Sequence, residues 1–205
     1  MISELFFRII FSALWLILIV NIVRVGYMTR ASGTRGRRGV GSTRVLAVVL
    51  AIPYFFGVIL YATFPDSILR LWIPLPDWFR FLSLLVAVMG TAMSVWGLRV
   101  LGENWAPSLS EVRKQSTLIT TGPYGIVRNP IYLGVLVLIP CLAIVASNWL
   151  LLAPGIILCL LLYSQVSGEE VTLIEHFGDA YCEYMMQTPR LFPRLRRARA
   201  PSSAH

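Results

Sequence analysis

The stretch IYLGVLVLIPCLAIVA-SN-WLLLAPGIILCLLLYSQV, running from Ile131 to Val166, decides the fold. Two apolar runs, Ile131 to Ala146 and Trp149 to Val166, carry no charged residue and are joined only by Ser147 and Asn148. Uncharged apolar runs of this kind read as helices in a bilayer. So short a joint forces the two helices into an antiparallel hairpin. The first run is short for a complete span and is expected to lie tilted or partly wrapped by protein. A hairpin returns its two ends to one membrane face. Whatever precedes residue 131 therefore meets whatever follows residue 166.

Outward from the hairpin the same pattern repeats. Leu5 to Val25, carrying Arg8 and Asn21, exceeds a signal-peptide core and lacks a convincing cleavage site, so it reads as a retained span. Val45 to Phe64 is a second span, with Pro53 and Gly57 tolerable in a membrane helix. Phe79 to Leu101 is a third. The expected fold is thus an all-α integral membrane protein of about five transmembrane helices. Residues 1–101 supply three amino-terminal spans, 102–193 hold the hairpin with the polar segments that flank it, and 194–205 form a basic disordered tail. Gly168 to Met186 reads as a charged amphipathic helix ended by Pro189, with Phe177, Tyr181 and Tyr184 on one face.

Composition agrees with a membrane protein. The 205 residues are 57% hydrophobic and 14% charged, against roughly 25% charged in soluble domains. The net charge of +8 is carried by arginines and one lysine, Lys114. The arginines gather beside the apolar runs, where they set topology and meet anionic lipid headgroups, so no nucleic-acid partner is expected. The loop Thr29 to Arg44 holds Arg30, Arg35, Arg37, Arg38 and Arg44 and should face the cytoplasm, as should the Arg-rich carboxyl terminus. Five spans then put the amino terminus outside, with the 65–78 connection and the Ser147–Asn148 turn. Residues 102–128 lie inside, and the Arg bias fits a bacterial inner membrane.

Other classes find little support. Cys141, Cys159 and Cys182 are scattered without metal-ligand or disulfide spacing, so no metal is expected. No internal repeat suggests a transporter of duplicated halves. No run of ionisable residues marks an ion path through the spans.

Chemistry is written on both sides of the hairpin. Before it stands G-P-Y-x-x-V-R-N-P-x-Y-x-G, from Gly122 to Gly134. After it stands E-E-x-x-L-x-x-x-F-G-x-x-Y-x-x-Y-x-x-x-x-P-R-L-x-P, from Glu169 to Pro193. The hairpin brings a guanidinium, two carboxylates, an amide and several tyrosines to one cytoplasmic patch. Carboxylates accept hydrogen bonds from ribose hydroxyls or an ammonium group, and a tyrosine face attracts a cation such as a sulfonium. Each residue taken singly also has an ordinary reading. Glu169-Glu170 reads as a solvated helix start, Arg128 as a span-end anchor, the Phe177/Tyr181/Tyr184 stripe as packing, and His176 as an amphipathic-helix residue.

Together the two blocks resemble the isoprenylcysteine carboxyl methyltransferase family, part of a wider group of membrane methyltransferases that includes phospholipid N-methyltransferases. The resemblance covers roughly residues 100–193 and implies an S-adenosyl-L-methionine site built from both blocks. By that resemblance Thr117, Leu118, Ile119 and Tyr124 line the cofactor pocket. Asn129, Pro130, Ile131 and Tyr132 occupy the family's R-H-P-x-Y segment, and Glu169 the cofactor-binding carboxylate position. Arg128, Asn129 and Glu170 form the expected catalytic set, Arg128 supporting the cofactor carboxylate or the loop fold.

Two departures bear on the acceptor. Asn129 stands where the family has His, which removes an ionisable imidazole. Gln165 stands where eukaryotic isoprenylcysteine enzymes carry a substrate-associated Arg, so a prenylated protein is not the expected substrate. The expected reaction is methyl transfer to a lipophilic or lipid acceptor entering from the bilayer. The alternatives are a phospholipid amine N-methyltransferase and a non-catalytic membrane scaffold; a nicotinamide-using reductase lacks a phosphate-binding cluster.

Overall fold

In a computed structural model the described residues are 4–31, 42–64, 71–102 and 117–192. They form six α-helices: α1 (Glu4–Ala31), α2 (Ser42–Thr63), α3 (Asp77–Leu101), α4 (Pro130–Ala146), α5 (Trp149–Phe177) and α6 (Asp179–Gln187). A 3-10 turn, Gly122–Gly125, precedes α4. No strand occurs among the described residues.

The helices bury narrow stripes and leave wide apolar faces outside. On α1, Phe7, Phe11, Leu14, Trp15 and Leu18 are buried at helical spacing, against Tyr54 and Tyr61 of α2. The opposite face exposes Leu5, Ile9, Leu16, Val20 and Val23. Helices α3 and α5 do the same with Leu82, Leu85, Met89, Ile156 and Leu160. Water would penalise so much contiguous apolar surface, whereas lipid accepts it. The molecule is a membrane protein. Glu4–Arg24, Asp77–Leu101 and Trp149–Phe177 are long and apolar enough to cross a bilayer.

Helix α4 has 17 residues and reaches only about 25 Å. It is wrapped by α3, α5 and α1, and buries Leu138, Ile139, Leu142 and Ala143. Its closest neighbour is α3, reached through small residues. A Cβ on Gly134 would run into Ser94 Oγ and the Gly90 carbonyl, and one on Gly90 would lie 2.8 Å from the Gly134 carbonyl. Small residues at such a crossing let backbones approach where no hydrophobic force drives helices together.

One end of the bundle carries a polar cluster. Arg80 is buried, donates from Nε to the Val145 carbonyl at 2.9 Å and from Nη2 to Glu4 at 2.9 Å, and stacks over Phe7. Tyr61 donates to the same Glu4 oxygen at 2.7 Å, and Arg8 Nε donates to the Tyr61 carbonyl. The 71–76 connection meets the hairpin turn at this end: Trp72 bridges to Asn148, and Ile73 N–H donates to Ser147 O at 2.7 Å. Ser147 takes the left-handed conformation (φ 50°), and Asn148 caps α5 by accepting from Leu150 N–H. The amino terminus, the 71–76 connection and the 147–148 turn thus share one end. Leu101, the Gly122–Gly125 turn and the start of α4 share the other.

Several boundaries differ from the sequence reading. Helix α1 continues to Ala31, because nothing between Val25 and Ala31 breaks it. Helix α5 passes through Gly168 and ends only at Phe177, where Gly178 at φ 57° closes it. The helix expected over Gly168 to Met186 is therefore the last third of α5 plus α6. Phe177 stands on one helix, with Tyr181 and Tyr184 on the next. At 29 residues, α5 measures roughly 43 Å against a hydrocarbon core of about 30 Å, longer than a span along the bilayer normal requires. The loop expected at 29–44 falls outside the described residues over 32–41, the polar stretch over 103–116, and the tail from 193 onward.

Candidate active site

The hairpin brings the two sequence blocks together, and the neighbouring carboxylates of α5 take different partners. Glu170 is buried, and four donors fill its two oxygens. Arg128 reaches Oε1 with Nε at 2.9 Å and Nη2 at 2.8 Å, and Asn129 Nδ2 donates to the same oxygen at 3.2 Å. Arg190 Nε reaches Oε2 at 2.8 Å. Glu169, half-buried one residue earlier, accepts from the Tyr132 hydroxyl at 2.5 Å. A charge-assisted O–H···O⁻ bond falls at that length.

Arg128 is consumed by the protein itself. Nε and Nη2 serve Glu170, and Nη1 donates to the carbonyls of Met185 and Thr188 at 3.1 and 2.5 Å. Its side chain is only 8% exposed. The backbone adds a latch: Arg128 N–H donates to Pro189 O at 2.8 Å and Asn129 N–H to Arg190 O at 3.1 Å. Asn129 Nδ2 also reaches the Arg190 carbonyl at 3.3 Å. The segment after α6 is thereby fastened to the residues that open α4. Pro130 at the first helical position suits a start whose N–H has no helical acceptor.

Pro130 and Ile131 are placed by packing, for a Cβ on Gly97 would lie 3.3 Å from Pro130 Cγ and 2.9 Å from Ile131 Cγ1. Ser94 donates to the Ile131 carbonyl. Tyr124 is buried; its hydroxyl reaches toward the Gly97 carbonyl, and its own carbonyl accepts from Tyr184 at 2.6 Å. Thr117 is exposed, while Leu118 and Ile119 are half-buried in the segment leading to the turn.

Burial pushes the Tyr124 and Tyr184 hydroxyls well above the ordinary phenol range, and neighbouring Tyr184 and Glu169 raise Tyr124 further. Burial, with Glu170 next in weight, pushes Tyr181 up to about 12. These phenols stay protonated at physiological pH and serve as donors and packing surfaces, not as bases.

A polar groove of about 430 Å³ opens beside the latch, lined by Thr120, Gly125, Ala180, Glu183, Tyr184, Gln187 and Thr188. It borders the turn and α6, away from the Tyr132–Glu169 pair. Sequence reasoning assigned no role to Arg190, although the residue stood in the quoted P-R-L-x-P block. Its link to Glu170 spans 20 positions and a helix break, which no local pattern reveals.

The sequence profile of the phospholipid methyltransferase family matches residues 78–180. That span takes in α3, the turn, the hairpin and both carboxylates. The chain belongs to the phospholipid methyltransferase family. The fold agrees: the solved structure of the eukaryotic intramembrane Ras methyltransferase, isoprenylcysteine carboxyl methyltransferase, superposes with a TM-score of 0.52 at 23% identity, over 74% of this chain and 50% of that one. Two curated relatives are similar in sequence. The nickel-cobalt-cadmium resistance protein NccN of Alcaligenes xylosoxydans xylosoxydans is 29% identical over 82% of this chain and 70% of its own. The cobalt-zinc-cadmium resistance protein CzcN of Cupriavidus metallidurans is 28% identical over 62% and 56%. Membership in this family makes the bundle a membrane methyltransferase scaffold, with the Glu169–Glu170 end as its candidate site.

Proposed function

We propose that this phospholipid methyltransferase family member is an S-adenosylmethionine-dependent enzyme that methylates a lipophilic acceptor reaching the site from the bilayer. The observation that carries the reading is the junction of Asn129 and Tyr132 with the Glu169–Glu170 pair, inside the family-matched region and at one end of the hairpin. The donor set fits the cofactor. Glu169 offers a carboxylate to hydroxyl or ammonium groups, and Tyr132 fixes its orientation through a short hydrogen bond. The Arg128–Glu170–Asn129 network sets the loop against α5, so its three members act as positioning residues.

S-adenosylmethionine, when bound, supplies a methyl group already activated by its sulfonium. The protein is left to align and to exclude water. The continuous α5 holds Glu169 on a rigid element, and the latch between 128–129 and 189–190 fixes α4 beside it. Neither step needs a nucleophile–base pair, and the high-pKa tyrosines offer none. Gln165, one turn before the carboxylates, supplies no cation for a prenylcysteine carboxylate. The family description favours a second reading, phospholipid amine N-methylation; headgroup analysis of lipids after incubation with labelled cofactor separates the two.

Calorimetric titration of detergent-purified protein with S-adenosylmethionine and S-adenosylhomocysteine tests the cofactor reading. Saturable binding is expected, weakened roughly 10-fold or more in Glu169→Gln and less in Tyr132→Phe, the scale of a lost charged hydrogen bond. Absence of binding by folded wild-type protein sinks the reading.

Five spans with the site end in the cytoplasm of a bacterial inner membrane complete the proposal, supported by the arginines at 30–44 and 194–199. Cys182 on α6 is exposed at that end. A membrane-impermeant maleimide should label Cys182 only after the inner membrane is permeabilised. Labelling in intact spheroplasts would reverse the orientation.

A further inference from the structure

Two guanidiniums converge on one carboxylate at the site. Arg128 and Arg190 both pair with Glu170. The two arginines differ in what remains available. All three nitrogens of Arg128 are engaged by Glu170 and by the Met185 and Thr188 carbonyls. Arg190 gives Glu170 its Nε–H alone, and among the described residues no hydrogen bond engages its two terminal nitrogens. Its side chain is 32% exposed, so it remains partly accessible while Nε is held.

A half-buried guanidinium whose terminal nitrogens no described residue engages can receive an anion, and a carboxylate matches its planar fork. Its neighbours narrow the choice. The Arg190 carbonyl accepts from Asn129, and its guanidinium pairs with the residue next to Glu169 on α5. Arg190 therefore stands among the residues assigned to the cofactor, and Glu170 fixes its aim. Resting on the cofactor reading above, we infer that Arg190, and not Arg128, binds the carboxylate at the amino-acid end of S-adenosylmethionine. Glu170 then has a defined purpose: it holds one edge of Arg190 so that the other is presented in a fixed direction, while Arg128 locks the loop.

The test is a binding cycle with two probes, S-adenosylmethionine and its decarboxylated analogue, which keeps the nucleoside, sulfonium and ammonium but lacks the carboxylate. Wild-type protein should prefer the carboxylate-bearing probe by roughly 10- to 100-fold, the worth of a charged hydrogen-bonded pair. Arg190→Gln should erase that preference and leave affinity for the decarboxylated probe nearly unchanged. Arg190→Lys, which keeps the charge but loses the fork, should retain part of it. Thermal unfolding of each variant in the same detergent establishes that it is folded. Equal weakening of both probes in folded Arg190→Gln would make Arg190 a structural residue and overturn the assignment. An undiminished preference in that variant would also overturn it, as expected if an anionic acceptor or lipid headgroup occupies Arg190 instead. Failure of wild-type protein to bind either probe would remove the methyltransferase reading itself, an outcome distinct from the other two.

Discussion

Glu170→Gln should destabilise the protein on the order of 3–5 kcal/mol, the cost of removing one partner from a buried ion pair. Its carboxylate is 5% exposed and is shared by Arg128 and Arg190, with Asn129 as a further donor. The amide keeps the shape but removes the charge, and it presents N–H groups where an acceptor is required. Two guanidiniums then face each other with no counter-charge, and Arg128 has almost no water to turn to. The 128–129 to 189–190 latch should open, and α6 should detach from the turn. Protease cleavage within 178–192 and a melting temperature lower by on the order of 10 °C would record this. Glu169→Gln is the matched control. Its carboxylate is half-buried where that of Glu170 is buried, so the cost to folding should be smaller while cofactor binding drops. Equal stability of the two variants would mean that Glu170 does not hold the site together.

Gly134→Ala should be similarly severe, from a different cause. The added methyl has no space against Ser94 Oγ and the Gly90 carbonyl, and it would also stand 2.8 Å from Ser94 N. Two of those three neighbours are backbone, which cannot rotate aside. Helices α3 and α4 must separate, and the Pro130 and Ile131 contacts against Gly97 loosen with them. Overpacking of a tight contact costs about 1–3 kcal/mol or more, and here the shift is passed to Tyr132, two positions earlier on α4. Gly168→Ala, with nothing within 4 Å, should instead be neutral or gain up to about 1 kcal/mol from helix propensity. Detergent melting curves of the two variants provide the comparison. A folded Gly134→Ala protein with wild-type stability would disprove the close crossing.

Much of this was legible in the residues. Hydrophobic run length gave the helical membrane class, because a bilayer imposes a minimum length and forbids charge along it. The two-residue Ser147–Asn148 joint forced the hairpin, and the hairpin forced the two polar blocks onto one face. The motifs within those blocks carried the family. Less legible was where the helices stop. Gly168 looked like a boundary and is not one, because a glycine in a helix costs only about 1 kcal/mol and the helix runs on to bury Glu170 against its partners. Gly178 is a boundary because its backbone takes a positive φ.

The sequence alone determined that the chain is a helical membrane protein whose last hairpin gathers a guanidinium, two carboxylates and tyrosines at one end. Only the tertiary structure decided how those groups divide the work. Glu169 and Glu170 are adjacent and chemically identical, yet the turn of the helix sends one to the Tyr132 phenol and the other to two arginines. Arg128 and Arg190 lie 62 positions apart, and their sharing of one carboxylate depends on α6 folding back across the start of α4. Helical periodicity is a local property and can be read along the chain. The pairing of buried charges is set by which partners the packed elements bring within 3 Å, and that is fixed only when the fold closes.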